Sequence, residues 1–381
     1  MVFAKDGEKR EKGLTYGKKR RILHLSKRLL KGRQVRSSMA KTGSRVTIKD
    51  LASICNVSTA TVSRVLNHIK GGYSGETEAR ILKAAEEMGY APNPMARSLV
   101  TRKTSLVAVL VPDIHYYFFQ EFFAGLEEHL NDYGYRLLLC NTQEDSGQEE
   151  LFIRGLCNGL VDGIIVSTLN NREQNDLLVE LDREHFPIIT LERYGEDLGD
   201  LCCVQIDNFE TGRMAVDYLY SQGHRRIAFI KGRREAKNAE IRYQGYLAGL
   251  RQNGLEPDES IVRYGDYSFA SATKAMEELL EVGGFTALIA ANDLMTLGAC
   301  KAITKAGRRI PEDISVLGLD RTILTDTHEP SIVAIDFCAH EIGHTVGKCM
   351  MAMINNQPLG EKVIRQNPIF HNGKSIRLLQ E

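Results

Sequence analysis

His340, Glu341 and His344 stand in the order and spacing that zinc hydrolases use. Histidines four apart on a helix face one metal, and the glutamate between them serves as general base. The longer HExxHxxGxxH template holds through Gly347 and then fails, because Met350 takes the place of the third histidine. Two imidazoles leave a zinc site incomplete, so the segment reads as a surface helix with chance spacing. The chain also lacks a Walker A loop, a Gly-x-Ser-x-Gly elbow and a GxGxxG turn after a strand. Its eight cysteines form no CxxC pair and read as reduced cytosolic thiols. The expectation is a non-enzyme without catalytic residues, metal or cofactor.

A different chemistry is written in NVSTATVSRVLNH, residues 56–68. Val57, Val62, Val65 and Leu66 recur at helical intervals, so they predict a helix with an inward apolar face. Ser, Thr and Val are middling helix formers, which suggests that the outer face is chosen for contact. That face carries Thr59, Ala60, Ser63, Arg64 and Asn67, with Ser58 as the N-cap. Arginine reads guanine through two hydrogen bonds, and small Ala or Thr packs on a thymine methyl. The plainer alternative is a helical hairpin with a solvated face.

The neighbouring elements favour DNA. Thr47 and Asp50 have capping-box spacing, and Ile48, Leu51 and Ala52 form one stripe of a preceding helix. Asn56 tolerates the left-handed backbone of a tight turn. Ser74 caps a third helix, predicted to turn Ile81, Leu82, Ala85 and Met88 inward and to stop at Gly89. Two short helices joined by such a turn make a helix-turn-helix, whose second helix enters the major groove.

The charge balance agrees. The net charge is zero, yet residues 1–45 carry 15 Lys and Arg against 3 Asp and Glu. A basic front on an acidic body suits a polyanion partner. Residues 1–45 read as a disordered basic extension, or in part as sequence upstream of initiation at Met39. Residues 93–104 follow the module with Pro94, Arg97, Arg102 and Lys103 around a two-turn apolar stretch. So short a helix is marginal alone and suits folding on DNA, with Leu99 as a minor-groove wedge.

VTIKDLASICNVSTATVSRVLN and TEARILKAAEEMGYAPNPMARSL resemble the lactose-repressor (LacI/GalR) family of bacterial transcription regulators. The resemblance runs from residue 46 to about 378. It implies that Thr59, Ala60 and Arg64 read bases, and that Ala96 and Leu99 are the minor-groove contacts of a hinge helix. The HIKGGYS loop departs from the family pattern by one extra residue. By the same resemblance, the His340 segment is the helix after the last crossover into the N-terminal lobe.

From residue 105 strand and helix patterns alternate: SLVAVLVPD, FFQEFFAGLEEHLNDYG, YRLLLCNT, and so on to ISVLGLD. Near-continuous apolar strands predict parallel sheets covered on both faces. Some 270 residues exceed one compact sheet, so two α/β lobes are expected, with a ligand in the cleft at the strand ends. The fold class is therefore an all-α helix-turn-helix domain over 46–92, a hinge over 93–104, and a two-lobed periplasmic-binding-protein-like α/β core over 105–378. The resemblance implies that Phe118 or Phe119, Arg193, Arg242, Tyr267, Asn292 and Asp320 line an effector pocket. Aromatic platforms with Arg, Asp and Asn suit a sugar. Ala236 stands where the purine repressor has a pocket arginine, which argues against a purine.

The expected protein is a ligand-responsive repressor, binding near-palindromic double-stranded operator DNA as a cytoplasmic homodimer. A sugar-like small molecule is the expected effector, and no membrane contact is expected, since no apolar run reaches the length of a span. The alternatives are a solute-binding protein of the same core fold and a regulator controlled by a protein partner.

Overall fold

A computed structural model of the chain describes residues 46–67, 69, 71–91, 98, 101, 103–167, 172–192 and 198–379. The chain divides between Arg102 and Lys103 into two compact units.

Three helices of the first unit are described from end to end. They are α1 (Ile48–Cys55), α2 (Thr59–Leu66) and α3 (Gly75–Met88). Each start is fixed by its own cap. Thr47 and Asp50 exchange side-chain to backbone hydrogen bonds at α1. Ser58 Oγ accepts from Thr61 N at 3.0 Å and Ser74 Oγ from Thr77 N at 3.2 Å. Asn56 and Gly89 take the left-handed conformation that ends α1 and α3. Leu51, Cys55, Val62, Val65 and Ile81 form the shared core. One inward residue differs from the expectation: Leu82 is 41% exposed, and Ala84 faces the core instead. The helix places 81, 84, 85 and 88 on one stripe, so 82 lies about 100° away.

The second unit contains two six-stranded sheets. The first lobe is built from β1 (Leu106–Val111), α4 (Phe118–Asn131), β2 (Arg136–Asn141), α5 (Ser146–Leu156), β3 (Gly163–Val166), α6 (Arg172–Arg183), β4 (Ile188–Leu191) and β5 (Cys202–Ile206). The chain then enters the second lobe through α7 (Asn208–Ser221), β6 (Ile227–Lys231), α8 (Lys237–Gln252), β7 (Val262–Tyr264), α9 (Phe269–Val282), β8 (Ala287–Ala290), α10 (Asp293–Lys305), β9 (Ser315–Leu319), α11 (Ile323–Thr327) and β10 (Val333–Asp336). It returns with α12 (Ala339–Ile354) and β11 (Val363–Gln366), and crosses again to β12 (Ile369–His371). The first sheet has the order β11-β5-β4-β3-β1-β2, the second β12-β10-β9-β8-β6-β7. Three crossovers therefore join the lobes, near residues 207, 337 and 368.

Both faces of the sheets are covered. In β1, Val107, Val109 and Val111 enter one apolar cluster, while Ala108 and Leu110 enter another. Ile227 and Phe229 of β6 separate from Ala228 and Ile230 in the same way. This is the period of two that turns a continuous apolar run into a doubly covered strand. Two strands break the pattern. β12 runs antiparallel to β10. β2 lies at a sheet edge with Leu138 and Leu139 exposed, although its sequence reads like a buried strand.

Candidate functional site

In the first unit, α2 presents Ser58, Thr59, Ala60, Arg64 and Asn67 as exposed residues, with Ser63 half-buried. Two of these already work inside the helix. Ser58 is the N-cap, and Asn67 Nδ2 donates to Ser63 O at 2.8 Å. The Arg64 guanidinium reaches back over the loop before α3, where a Cβ on Gly72 would stand 2.6 Å from its Nη1. Ala96 and Leu99, expected in the hinge, lie outside the described residues, as does Arg193 of the expected pocket.

In the second unit, a cavity of about 160 Å³ opens between the two lobes, at the carboxyl ends of their strands. Phe118, Phe119, Arg242, Tyr267, Asn292 and Asp320 all line it, although they span some two hundred residues of sequence. Four of its residues hold a left-handed backbone: Glu144, Glu192, Tyr267 and Asp320. Each follows a strand, namely β2, β4, β7 and β9. Such conformations cost about 1–3 kcal/mol apiece and persist where the surrounding fold imposes them. Gly232 clears the space for one of these side chains, since a Cβ there would sit 2.3 Å from the Tyr267 ring.

Asp320 is the most unusual group. It is 5% exposed, and among the described residues no hydrogen bond reaches its carboxylate. Burial pushes its carboxyl well above the usual range, repulsion from Asp293 adds to this, and Arg242 opposes it. Asp293 is also raised by burial, but it has partners: Leu294 N at 2.7 Å and Thr322 Oγ1 at 2.9 Å. A ligand hydroxyl or amine offered to Asp320 would meet an acceptor that the described residues leave unsatisfied.

Arg242 is 4% exposed and built into the cavity wall. Its Nε donates to Asn208 Oδ1, its Nη1 donates to Ala291 O at 3.0 Å, and its guanidinium lies 4.6 Å from the Phe337 ring centre. Asn208 in turn donates to Glu192 Oε2 at 2.8 Å, and Glu192 Oε1 accepts from Ile206 N. This chain of bonds runs from the first lobe through a crossover into the second. Among the described residues Arg242 Nη2 has no hydrogen-bond partner. Asn292 serves mainly as an organiser. Its amide oxygen caps α10 by accepting from Met295 N at 2.9 Å, and its amide nitrogen donates to Tyr267 O at 3.0 Å.

Sequence reasoning missed Tyr116, Glu144, Ser167, Arg233, Asn238 and Phe337, which also line the cavity. Tyr116 belongs to an aromatic cluster visible in the sequence. Glu144 and Arg233 sit in polar loops where no pattern singles them out.

The His340 segment forms α12, and its histidines do not converge. His340 Nε2 lies 3.3 Å from Glu128, while the His344 ring stacks edge-on against His129 at 4.8 Å. No group of three His, Cys, Asp or Glu among the described residues is arranged to hold a metal. The helix is packed on its glycine side, where Gly343 and Gly125 let α12 and α4 touch backbone to backbone. A Cβ at either would stand 2.0 Å from a carbonyl oxygen of the facing helix. The segment is thus half core and not a simple surface helix.

Comparison with known proteins agrees with this geometry. Residues 47–93 match the model described as bacterial regulatory proteins, lacI family, and residues 104–374 match periplasmic binding proteins and sugar binding domain of LacI family. The chain belongs to the LacI family. One family relative is the HTH-type transcriptional repressor CytR of Escherichia coli (strain K12). It is 34% identical over 84% of this chain and 93% of its own length. The solved complex of transcriptional regulator CelR with cellobiose is 28% identical, covering 87% of this chain and all of that one, with a TM-score of 0.66. The lac repressor dimer bound to operator shares the fold, with a TM-score of 0.80 at 24% identity, over 88% of this chain and all of that one. No helix among the described residues is long and apolar enough to cross a membrane.

Proposed function

We propose that this chain is a cytoplasmic, ligand-responsive repressor that binds a near-palindromic operator as a homodimer and takes a small polyol or sugar-like effector into the interlobe cavity. It performs no catalysis. Residues 46–92 are the DNA-binding module, 93–104 the hinge, and 105–378 the effector and dimerisation domain. On α2, Thr59, Ala60 and Arg64 read bases in the major groove, with Ser58, Ser63 and Asn67 supporting the contact. Ala96 and Leu99 act in the minor groove. Phe118, Phe119 and Tyr267 supply the ring platforms. Arg193, Arg242, Asn292 and Asp320 form the polar side of the pocket.

One observation carries the effector reading: a buried Asp320, without a hydrogen-bond partner among the described residues, near Arg242 in an aromatic-walled cavity. Ligand pockets combine an apolar wall with a few convergent polar groups in this way. CelR, with cellobiose bound, supports the ligand class by likeness. The exposed Leu138 and Leu139 on the β2 edge support a second copy as partner, since a bare apolar edge invites pairing. The test is a thermal-shift screen against sugars, nucleosides and nucleobases. Hits are then assayed for changed binding to DNA upstream of the protein's own gene. A hit that changes DNA affinity supports the reading. DNA binding without any small-molecule hit favours control by a protein partner.

A further inference from the structure

The cavity wall carries a second set of interlobe contacts besides the chain of bonds through Arg242. Tyr116 and Glu144 belong to the first lobe, Arg233 and Tyr267 to the second. The Glu144 carboxylate has two partners. Its Oε1 accepts from Tyr116 Oη at 2.7 Å, and its Oε2 forms an ion pair with Arg233 Nη1 across the cleft. Arg233 Nε also donates to Asp266 O at 3.3 Å, which holds the guanidinium to its own lobe. Beside the pair, the Tyr116 and Tyr267 rings meet edge-on at 6.3 Å, and Tyr267 Oη donates to Asn238 Oδ1 at 3.0 Å.

From these contacts we infer that Glu144 and Arg233, buttressed by Tyr116 and Tyr267, form a latch that holds the lobes closed without a ligand and must open for one to enter. The Glu144 and Arg233 side chains are only 18% and 28% exposed, so the pair is screened less than a surface salt bridge. It also has few alternatives when broken. Glu144 sits on a left-handed backbone that aims it across the cleft, and Arg233 is held by Asp266. Separating the lobes exposes both charges to water, which repays part of their attraction. The latch therefore biases an equilibrium between open and closed forms instead of sealing it. The holding action is independent of the effector proposal. The consequence that it gates effector entry rests on that proposal.

Hydrogen–deuterium exchange on the ligand-free full-length chain tests the latch. The segments to follow are 112–119 on the first lobe and 264–268 on the second. Glu144→Gln and Arg233→Met should each speed exchange at both rims by about threefold to tenfold, with the melting temperature little changed. The charge swap, Glu144→Arg with Arg233→Glu, should restore protection. Unchanged exchange in both single variants overturns the latch. So does a swap that folds but fails to restore protection, because the pair would then be only a local packing feature. If the swap does not fold, Glu144→Gln combined with Arg233→Met decides. A shared latch opens no further in the double variant than in either single, whereas additive opening overturns it. This readout needs no ligand, so a failed effector screen leaves it intact, and a flat exchange profile leaves the effector proposal standing.

Discussion

The two units solve recognition in opposite ways. The first offers a short helix whose outer residues are exposed, on a core of a few fully buried side chains such as Leu51, Val62 and Ile81. Every helix start in it is capped by a residue three positions or fewer away. The second hides its polar groups: Arg242, Asp293 and Asp320 are all at most 5% exposed, and their neighbours sit on strained backbone. A surface meant for a large polyanion can be built from local structure, because the partner covers it afterwards. A site for a small molecule must be desolvated in advance, and the burial of its charges is held by the rest of the fold.

Substitutions at the buried site should therefore disturb stability, while those on the outer face of α2 beyond its cap should disturb mainly specificity. The largest effect is expected from Arg242→Met. It removes the donor to Ala291 O and Asn208 and leaves Asp320 without its opposing charge, and should cost about 3–5 kcal/mol of core stability in denaturant unfolding. A loss under 1 kcal/mol would mean that the buried network is easily rehydrated and that the contrast between the units is overstated.

Asp320→Asn separates function from stability. It should weaken a polyol-like effector by about tenfold to a hundredfold, measured by titration calorimetry, since hydrogen bonds to charged groups are worth about 1.5–3 kcal/mol. The same change should raise stability near neutral pH. The folded-state carboxyl titrates above its unfolded value, so its contribution to stability is lost as pH rises through that raised value. Effector affinity should accordingly fall as the pH is lowered and Asp320 takes up its proton, and the variant should flatten this dependence. A steep profile that survives in the variant assigns the titration to another group.

On α2, Arg64→Ala should cost about 1–3 kcal/mol of discrimination at one operator base pair, with the melting temperature unchanged. Equal weakening across all sequences would make Arg64 a phosphate contact. The smallest effect is expected from Ser58→Ala, which removes the cap bond to Thr61 N and should lower the first unit's stability by about 1 kcal/mol. A change in base preference in that variant would show that Ser58 does more than cap.

Most of the helix-turn-helix was legible because its rules act over a few residues. Caps, turn conformers and the apolar stripe all lie within four positions of one another, so Thr47, Asn56, Ser58, Ser74 and Gly89 could be placed directly. The slip at Leu82 came from choosing between adjacent positions that only packing separates. The strands of the large unit were equally visible, since a doubly covered strand is a continuous apolar run. β2 shows the limit, because an edge strand that a second copy could cover reads like a buried one.

By itself the sequence determined the order of elements and the capped second helix, and its family resemblance supplied the residues now found lining the cavity. Only the tertiary structure decided which of the polar residues at strand ends converge. Among the described residues it left Asp320 without a hydrogen-bond partner, and it turned Asn292 into an organiser of Tyr267 and brought Glu144 and Arg233 together across the cleft. It also gave His340 and His344 separate neighbours, Glu128 and His129, on a helix whose Gly343 lies against α4. The physical reason is the same in each case. Burial, desolvation and close backbone approach depend on groups far apart in the chain, and no local pattern encodes where the opposite lobe will stand.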